Sequence, residues 1–523
     1  MKHIEKIKLL NFKRFKRFEY VARKGRNIFI GDNEAGKSTI LQAIDLVLSG
    51  SRSRIESIGL DTLFNRDMIR SFLTGTKELA LLPKMEVEIF LNDHQEMSLE
   101  GRNNTEEKIC QGLKLTCEPM IDDYSQEIKQ ALSHSEAIFP FEYYNIQLST
   151  FSGQLYSKNR RYLNHVLIDS SLIATEYAMR EYTKSLYEAH TTLVNRYQLS
   201  YAYRHSKDIF STAHLGDLNN VLGESKFDIK SDNKSNLIND LVITQGGIPI
   251  NHLGKGEQCF IKSKFALQQK EGKKPLDLIL IEEPENHLSH VNMKKLINEI
   301  DAATQTQIFI ATHSNSVCSR LDLHNASIVG NMENNPVTLA DLPVETANYF
   351  IKAPNNKILE FVLSQKVILV EGDVEYMLIQ GMYENSHNMK LEDSNIHVIA
   401  VGGTCFKPYL ELAKLLKIKT AVVRDNDGNY QNNCVDDYAS YTSPIINIFS
   451  DTDDQNRTTL EKCIYQDNKK LCDDFFKEGR RKLSVEEYMI SNKTDCSLKI
   501  LESGIKRLVT PNYIEKAFTW IRE

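Results

Sequence analysis

Acidic side chains follow two apolar runs in the C-terminal third of the chain. Glu371 follows KVILV, and Asp425 and Asp427 follow TAVVR. A parallel sheet would bring these positions to one edge, where carboxylates repel one another unless divalent cations lie between them. Carboxylate oxygens suit Mg²⁺ or Mn²⁺, and no histidine or cysteine set suggests zinc. The pattern predicts such a metal centre, and for the aspartates a turn that closes a strand is the structural alternative.

Two neighbouring features support that interpretation. A helix is expected after Glu371, so Glu375 would face the same point one helical turn away. Between the two acidic segments, Gly402 and Gly403 end a third apolar run. Strands and helices alternate from residue 366 onwards, as in a domain built on a parallel sheet.

A phosphate-binding pattern lies near the N-terminus, in the stretch GDNEAGKST. The loop from Gly31 to Ser38 matches G-x-x-x-x-G-K-[ST], which supplies backbone N–H groups for phosphates, a lysine for the β and γ phosphates and a hydroxyl for Mg²⁺. An apolar strand precedes the loop and a helical pattern follows it. Ser38 is therefore a predicted Mg²⁺ ligand. The residues expected to contact ATP here are Asn33, Gly36, Lys37, Ser38 and Thr39.

A second half of the ATP site is predicted from LDLILIEEPENHL, where an apolar strand ends at Glu282 and Glu283. One acid is suited to hold Mg²⁺ through water and the next to orient or deprotonate the attacking water. A solvated acidic turn is the alternative. His313 follows the strand TQIFIAT and is placed to sense the γ-phosphate.

In this order the stretches resemble the ABC-type ATPase heads of the structural-maintenance and recombination-repair class. The switch histidine of that class falls on His313, and its signature motif falls on Leu253, Gly254, Lys255, Gly256 and Glu257. Gly254 stands in place of the usual serine, Lys255 of a glycine and Ser289 of an aspartate. These departures predict nucleotide binding with slow turnover. Arg14, in the opening NFKRF, could contact nucleotide or DNA, or belong to a surface charge run.

The chain is too long for one core. We expect an ATPase N-lobe over residues 1–158, a helical insertion over 159–245, an ATPase C-lobe over 246–330, a connector over 331–365 and a further α/β domain over 366–523. The insertion lacks sustained heptads, so we interpret it as a compact segment that joins protomers, with a helical cap as the alternative.

The order E-G, G-G, D-x-D in the last domain resembles the Toprim domain of topoisomerases, primases and certain nucleases. An ABC-type head followed by Toprim resembles, in turn, the OLD family of ATP-dependent endonucleases. The resemblance implies an α/β fold class of an ABC/SMC-like head with a helical insertion and a C-terminal Toprim domain. It adds Glu461, from TTLEKCIY, as a metal ligand, with Asp453 or Asp454 as alternatives. Lys493, from SNKTD, would stabilise charge on the phosphorane. The implied metal ligands in this domain are Glu371, Glu375, Asp425, Asp427 and Glu461, and the implied catalytic residues are Glu371, Asp425, Asp427 and Lys493, with Glu283 in the ATPase.

Bulk composition fits a cytoplasmic protein. Apolar residues make up 41% and charged residues 26%, and no run is long enough for a membrane span. The nine cysteines form no metal-like pairs and are expected to be reduced. A net charge of −6 argues against a protein that coats nucleic acid by charge alone.

Together these features predict an ATP-regulated, metal-dependent DNA endonuclease. ABC heads usually complete each ATP site with a second subunit, which implies a homodimer or a dimer of dimers. The family resemblance implies anti-phage defence, beside either a helicase-like protein or a retron reverse transcriptase and its DNA. A topoisomerase would need a tyrosine in a separate cleavage domain, for which no segment is left over. A DNA clamp or sensor with a non-catalytic Toprim domain stays an alternative.

Overall fold

The protein forms two compact units, which comprise Met1–Thr312 with Val329–Pro336, and His313–Ile328 with Val337–Glu523. The computed structural model describes residues 2–93, 95–133, 138–160, 162–169, 183–184, 186–188, 191–221, 226–230, 237–254, 256–258, 260–261, 276–286, 290–302, 306–314, 317, 323–330, 336–353, 357–478 and 482–523. Across this part of the chain, no helix is long and apolar enough to cross a membrane.

The first unit contains twelve named strands and nine named helices among its described residues. The strands are β1 (Ile4–Phe12), β2 (Phe15–Val21), β3 (Arg26–Ile30), β4 (Met85–Leu91), β5 (Glu100–Gly101), β6 (Cys110–Pro119), β7 (Tyr144–Thr150), β8 (His165–Asp169), β9 (Thr244–Gln245), β10 (Ile248–Pro249), β11 (Leu278–Glu282) and β12 (Gln307–Thr312). The helices are α1 (Lys37–Ser49), α2 (Arg52–Ile58), α3 (Leu60–Leu63), α4 (Arg66–Thr74), α5 (Ile121–Leu132), α6 (Leu193–His214), α7 (Gly216–Val221), α8 (Leu237–Asp240) and α9 (His290–Ala302).

Two sheets form the body of this unit. One is antiparallel, in the order β2-β1-β4-β6-β5, with β7 also paired to β6. The other contains the parallel run β3-β12-β11-β8. The central strands β11 and β12 are buried along almost their whole length, which explains their unbroken apolar sequences. The three strands expected around the ATP motifs are thereby confirmed as β3, β11 and β12.

The segment 159–245 differs in part from the predicted helical insertion. Its first described element is β8, which pairs in parallel with β11 and so belongs to the ATPase sheet. The three apolar positions in HVLID fit a buried strand as well as a helix, and only the pairing decides between them. The helical pattern agrees with the structure at α6, a helix of 22 residues. We therefore place the start of the insertion after Asp169.

The strands of the second unit are β13 (Ala326–Ile328), β14 (Val337–Thr338), β15 (Lys366–Val370), β16 (Ile396–Ala400), β17 (Lys419–Val423) and β18 (Ile446–Phe449). The last four form a parallel sheet in the order β16-β15-β17-β18. The helices of this unit are α10 (Val344–Lys352), α11 (Ile358–Val362), α12 (Asp373–His387), α13 (Lys407–Leu416), α14 (Leu460–Asp467), α15 (Lys469–Phe475), α16 (Val485–Ser491), α17 (Lys493–Ser503) and α18 (Asn512–Arg522). The strand and helix alternation expected from residue 366 is confirmed.

The stretch expected to be a less regular connector contains two helices that pack on this second unit. The rings of Phe350, on α10, and Phe361, on α11, lie 5.0 Å and 5.5 Å from the ring of Tyr409 on α13. All three aromatic side chains are fully buried. The domain core therefore begins before residue 366, because these apolar contacts cover one face of α13.

Candidate active sites

The phosphate-binding loop connects β3 to the first turn of α1. Lys37 is buried, and its Nζ donates to the carbonyl oxygens of Gly31 and Asp32 at 2.8 Å and 2.9 Å. Gly36 precedes the helix with φ of 102°, and a Cβ there would lie 2.5 Å from the Phe15 ring. Only glycine meets both conditions. The loop therefore presents the N-terminus of α1, where backbone N–H groups favour anions.

Other predicted nucleotide contacts line the same loop and helix. Asn33 and Ser38 are exposed and Thr39 is half-buried, so all three can reach a ligand outside the loop. Arg14 also reaches this loop, because a Cβ on Gly36 would lie 2.7 Å from Arg14 Cδ. The neighbouring Lys13 lies near the acidic turn: burial lowers the pKa of its ammonium, and the charge of Glu282 opposes that shift.

The acidic turn follows β11, and Glu282 is the last residue of that strand. Glu283 has a positive φ of 44°, a strained backbone for a side chain of this size, and its N–H donates to Ala311 O at 2.8 Å. The Thr312 hydroxyl donates to Glu285 Oε1 at 2.7 Å. These bonds tie the acidic turn to the end of β12, directly before the exposed His313.

The signature stretch forms a short turn after the hairpin of β9 and β10. The side chain of Gln258 donates to Leu253 O at 2.8 Å, and its backbone N–H donates to Gly254 O at 3.0 Å. A Cβ on Gly254 would meet no described atom within 4 Å, so local packing in the described residues does not require glycine there. Gly256 and Glu257 open a helical turn. Lys255 and Ser289 lie outside the described residues.

Separately, in the second unit, the C-terminal edge of its sheet is shaped by a glycine pair. Glu371 follows β15, and its carbonyl oxygen accepts the N–H groups of Gly402 and Gly403 at 3.0 Å and 2.8 Å. Both glycines have positive φ, 77° and 89°, which other residues rarely adopt. The pair therefore folds around the end of β15 and leaves the side chain of Glu371 at the sheet edge.

The D-x-D turn follows β17 and is held by a buried asparagine between the two aspartates. Asn426 is 1% exposed, and its Nδ2 donates to the carbonyl oxygens of Asp451 at 2.8 Å and Asp453 at 3.2 Å. Its Oδ1 accepts the Gly428 N–H at 2.8 Å. Asp427 has a positive φ of 50°. Asn426 therefore sets the direction of the turn that carries both carboxylates.

Glu375 is placed differently from the prediction. Helix α12 begins at Asp373, so Glu371 precedes it and the two glutamates do not lie on successive helical turns. Glu375 Oε2 instead accepts the Gly372 N–H at 3.0 Å, as an N-terminal cap of α12. The helical spacing was wrong because the chain turns at Gly372 before the helix starts. Glu375 still lies near enough to act on the charges of Glu371 and Asp425.

Glu461 and Lys493 are brought together from α14 and α17. Lys493 Nζ lies 2.9 Å from Glu461 Oε1, and Glu461 is 4% exposed. The alternatives to Glu461 have other roles: Asp453 accepts the N–H groups of Gln455 and Asn456, and Asp454 accepts that of Tyr430. Glu461 is thus the acid of this segment that faces the cluster.

The electrostatics join these residues into one acidic centre, which consists of Glu371, Glu375, Asp425, Asp427, Glu461, Arg424 and Lys493. Burial raises the pKa of Asp425 well above its usual range, and the charges of Glu371 and Glu461 add to that shift. Burial also raises the pKa of Glu371, against the effect of Arg424. For Lys493, burial is the largest single influence and disfavours the ammonium, but the bond to Glu461 and the charges of Glu461, Asp425 and Glu375 together outweigh it and raise the pKa. Such mutual repulsion is what a bound cation relieves.

The residue types of the acidic centre fit a hard divalent cation. Every candidate ligand is a carboxylate oxygen, as Mg²⁺ and Mn²⁺ prefer. Glu371 Oε1 and Glu461 Oε2 are buried and have no hydrogen-bond partner among the described residues. No three described His, Cys, Asp or Glu side chains stand close enough to hold a metal as they are. The repelling carboxylates would therefore have to draw together around a cation.

Two members of this region were missed in the sequence. Arg424 and Asn426 stand inside the motif RDND, where attention falls on the two aspartates. Both are buried, at 5% and 1% exposure. The available signal in the sequence was an arginine directly after the apolar run of a strand. Such a position is expected to be buried, and arginine is almost never buried without partners.

We expect Asn426→Ala to lower plasmid cleavage at least about ten-fold and to destabilise the second unit. The change removes the partner of two half-buried carbonyl groups and of the Gly428 N–H, at a cost of about 1–3 kcal/mol, and frees the turn that carries the aspartates. Thermal melting and a plasmid assay measure the two effects. Asn432→Ala, at an exposed asparagine whose side chain donates to the Asn433 side chain at 3.2 Å, is the matched control and should behave as wild type. Equal cleavage by both variants would contradict this role of Asn426.

Family models match both parts of the chain. The model described as AAA ATPase domain matches residues 1–318, and the one described as Overcoming lysogenization defect protein-like, TOPRIM domain matches residues 362–427. The first match covers more than half of the chain, and the second contains the glycine pair and the D-x-D turn.

Individual proteins resemble the chain at low identity. The Old nuclease of Escherichia phage P2 is 25% identical over 197 residues, which cover 34% of this chain and only 33% of that protein. Endonuclease GajA of Bacillus cereus (strain HuB5-5) is 21% identical over 537 residues, which cover 81% of this chain and 76% of that protein. The C-terminal region of the Burkholderia pseudomallei OLD protein is 22% identical, with a TM-score of 0.23, and the match covers 31% of this chain and 98% of that one.

The two family matches follow the two units of the structure. The ATPase match includes the phosphate-binding loop and the acidic turn after β11, and the TOPRIM match includes Glu371, Asp425 and Asp427. The predicted fold class is confirmed. The chain belongs to the AAA ATPase domain family and carries an OLD-like TOPRIM domain.

Proposed function

We propose that this protein is an ATP-regulated DNA endonuclease that uses Mg²⁺ or Mn²⁺ for phosphodiester hydrolysis. The observation that carries the proposal is the acidic centre at the C-terminal edge of the parallel sheet, where five carboxylates and Lys493 act on one another's charges. The names of two relatives, Old nuclease and Endonuclease GajA, support a nuclease activity.

The acidic centre has the groups that this reaction requires. Glu371, Glu375, Asp425, Asp427 and Glu461 would hold one or two cations. A cation held there would activate a water and neutralise charge on the phosphate. Lys493, at 41% side-chain exposure, can reach a phosphate while Glu461 holds its ammonium in place. Its positive charge would favour the extra negative charge of the phosphorane.

The ATPase unit would act as a gate. Phosphodiester hydrolysis does not need the energy of ATP, so nucleotide would serve by shifting the enzyme between states of different cutting activity. Lys37, Ser38 and Thr39 would hold the phosphates and their Mg²⁺, with Glu282, Glu283 and His313 around the γ-phosphate. The positive φ of Glu283 supports a role at the site, because strained backbone is kept where function needs it.

Assembly follows from the same proposal. The signature turn around Gly254 and Gly256 would complete the ATP site of a second copy, which makes a homodimer or a dimer of dimers the working form. Exposed apolar side chains on α6, among them Leu193, Tyr197 and Phe210, support such a role for the insertion. A role in anti-phage defence, beside a retron reverse transcriptase or a helicase-like protein, stays a prediction that only the family resemblance supports.

The test is incubation of supercoiled plasmid with purified protein. We expect nicked or linear products with Mg²⁺ or Mn²⁺, none in EDTA, and recovery when metal is restored. The same series with ATP, a non-hydrolysable analogue and no nucleotide measures the direction of ATP control. Plasmid that stays intact in every combination would favour the non-catalytic clamp. Relaxed, religated circles would indicate topoisomerase chemistry.

A further inference from the structure

Arg424 places a permanent positive charge inside the acidic centre. It follows β17 and is 5% exposed. Its Nε donates to Asp425 O at 3.0 Å and its Nη1 donates to Asn433 O at 2.8 Å. The guanidinium also lies over the ring of Tyr438, 5.8 Å from the ring centroid. Neutral groups of its own loop therefore fix the position of Arg424.

Its distances to the carboxylates are longer. Arg424 Nε lies 3.7 Å from Glu371 Oε1, and Nη2 lies 3.4 Å from Asp427 Oδ2. The backbone carbonyls thus hold the guanidinium more tightly than the acids do. Because these anchors do not involve the carboxylates, the guanidinium would keep its position if Glu371 and Asp427 held a cation.

We propose that the positive charge of Arg424 offsets part of the negative charge of the acidic centre, so that a divalent metal binds there against electrostatic repulsion from the guanidinium. The inference rests on the proposed function and names a residue that sets how tightly the nuclease site binds a divalent metal. With all five carboxylates ionised, as metal binding requires, Arg424 and Lys493 leave a net charge of −3. Arginine keeps its charge at every physiological pH, so the opposition is constant.

The repulsion acts over a short distance. The guanidinium lies 3.4–3.7 Å from oxygens of Glu371 and Asp427, so a cation held by these two acids would lie close to it. Partly buried charges at that range are screened little by salt. The negative charge of a DNA phosphate would offset Arg424, which would make metal binding tighter on DNA than in the free enzyme.

The experiment is a Mn²⁺ titration of the full-length protein without DNA or nucleotide, with free Mn²⁺ followed by electron paramagnetic resonance. Sites lost in Asp425→Asn define the acidic centre. We expect Arg424→Gln to lower the Kd of these sites by about five- to ten-fold. A decrease below three-fold, no change, or weaker binding would overturn the inference.

Arg424→Lys is the matched variant, because it keeps the charge and loses the planar fork. Its Kd should stay within three-fold of wild type, and tightening like that of Arg424→Gln would count against the charge as the cause. If Arg424→Gln fails to fold by circular dichroism, Arg424→Met, which removes the charge and keeps much of the side-chain length, is measured against the same limits. Failure of the proposed function looks different, since wild type itself would then show no Mn²⁺ site that depends on Asp425.

Discussion

Asp425→Asn is expected to reduce plasmid cleavage by about a thousand-fold, which corresponds to roughly 4 kcal/mol of transition-state stabilisation. Asp425 lies at the end of β17, and its charge interacts with those of Glu371, Glu375, Glu461 and Lys493. The amide keeps the size of the side chain but offers a weaker metal ligand. Cleavage rates at saturating Mn²⁺ and Mg²⁺ measure the loss.

The fold should survive this change. Burial and neighbouring carboxylates raise the pKa of Asp425, so its ionised form is disfavoured in the folded protein. Above that pKa the charge costs stability, and a neutral amide removes the cost. The melting temperature in EDTA should therefore be unchanged or higher. A marked drop would mean that lost activity reflects unfolding.

Asp454→Asn is the control variant, because it makes the same substitution at an acid that lies outside the acidic centre. Asp454 Oδ1 accepts the Tyr430 N–H at 2.6 Å, a bond that an asparagine oxygen can keep. We expect this variant to cleave within about two-fold of wild type, since the change keeps a surface hydrogen bond. If Asp454→Asn were inactive while Asp425→Asn still cut, our assignment of the acidic centre would be wrong.

Lys37→Ala is expected to weaken ATP binding by at least about a hundred-fold, equivalent to roughly 2.7 kcal/mol. The ammonium is buried at the base of the loop and donates to Gly31 O and Asp32 O, so it both supports the loop and stands where the phosphates arrive. Cleavage by the variant should no longer respond to ATP. Binding of a fluorescent ATP analogue and the plasmid assay with and without ATP measure the two effects.

Lys129→Ala provides the matched comparison. Lys129 is exposed on α5, so its loss should change neither ATP affinity nor the response of cleavage to ATP. If cleavage by Lys37→Ala still responded to ATP as in wild type, ATP would have to control cleavage through a site other than this loop. Ordinary ATP affinity in Lys37→Ala would overturn the assignment of the loop itself.

The local sequence predicted the structure correctly where the backbone conformation and the chemistry depend on residues close together in the chain. The phosphate loop from Gly31 to Ser38 needs glycine for a positive φ at Gly36 and a lysine one position later, so the motif predicts its own geometry. The apolar runs before Glu282 and Glu371 are buried strands, as their sequences predict. A parallel strand that is covered on both faces has apolar side chains at nearly every position, without alternating polar ones.

Local pattern was not enough for elements whose partners are distant in sequence. Strand β8 could be identified only by its pairing with β11, more than a hundred residues later. The stretch before residue 366 looked irregular because its two helices are short, yet Phe350 and Phe361 bury their rings against Tyr409. Short elements carry weak periodicity, and tertiary contacts then decide.

For the acidic centre, the sequence by itself determined which carboxylates end the strands, because Glu371, Asp425 and Asp427 follow apolar runs directly. Only the tertiary structure decided what surrounds them. In the structure Glu375 caps α12, and Glu461 pairs with Lys493 from another helix. Arg424 and Asn426 are buried within the turn. The physical reason is that a strand end is specified by local hydrophobicity, whereas the charge balance of a site depends on which distant side chains share its low-dielectric surroundings.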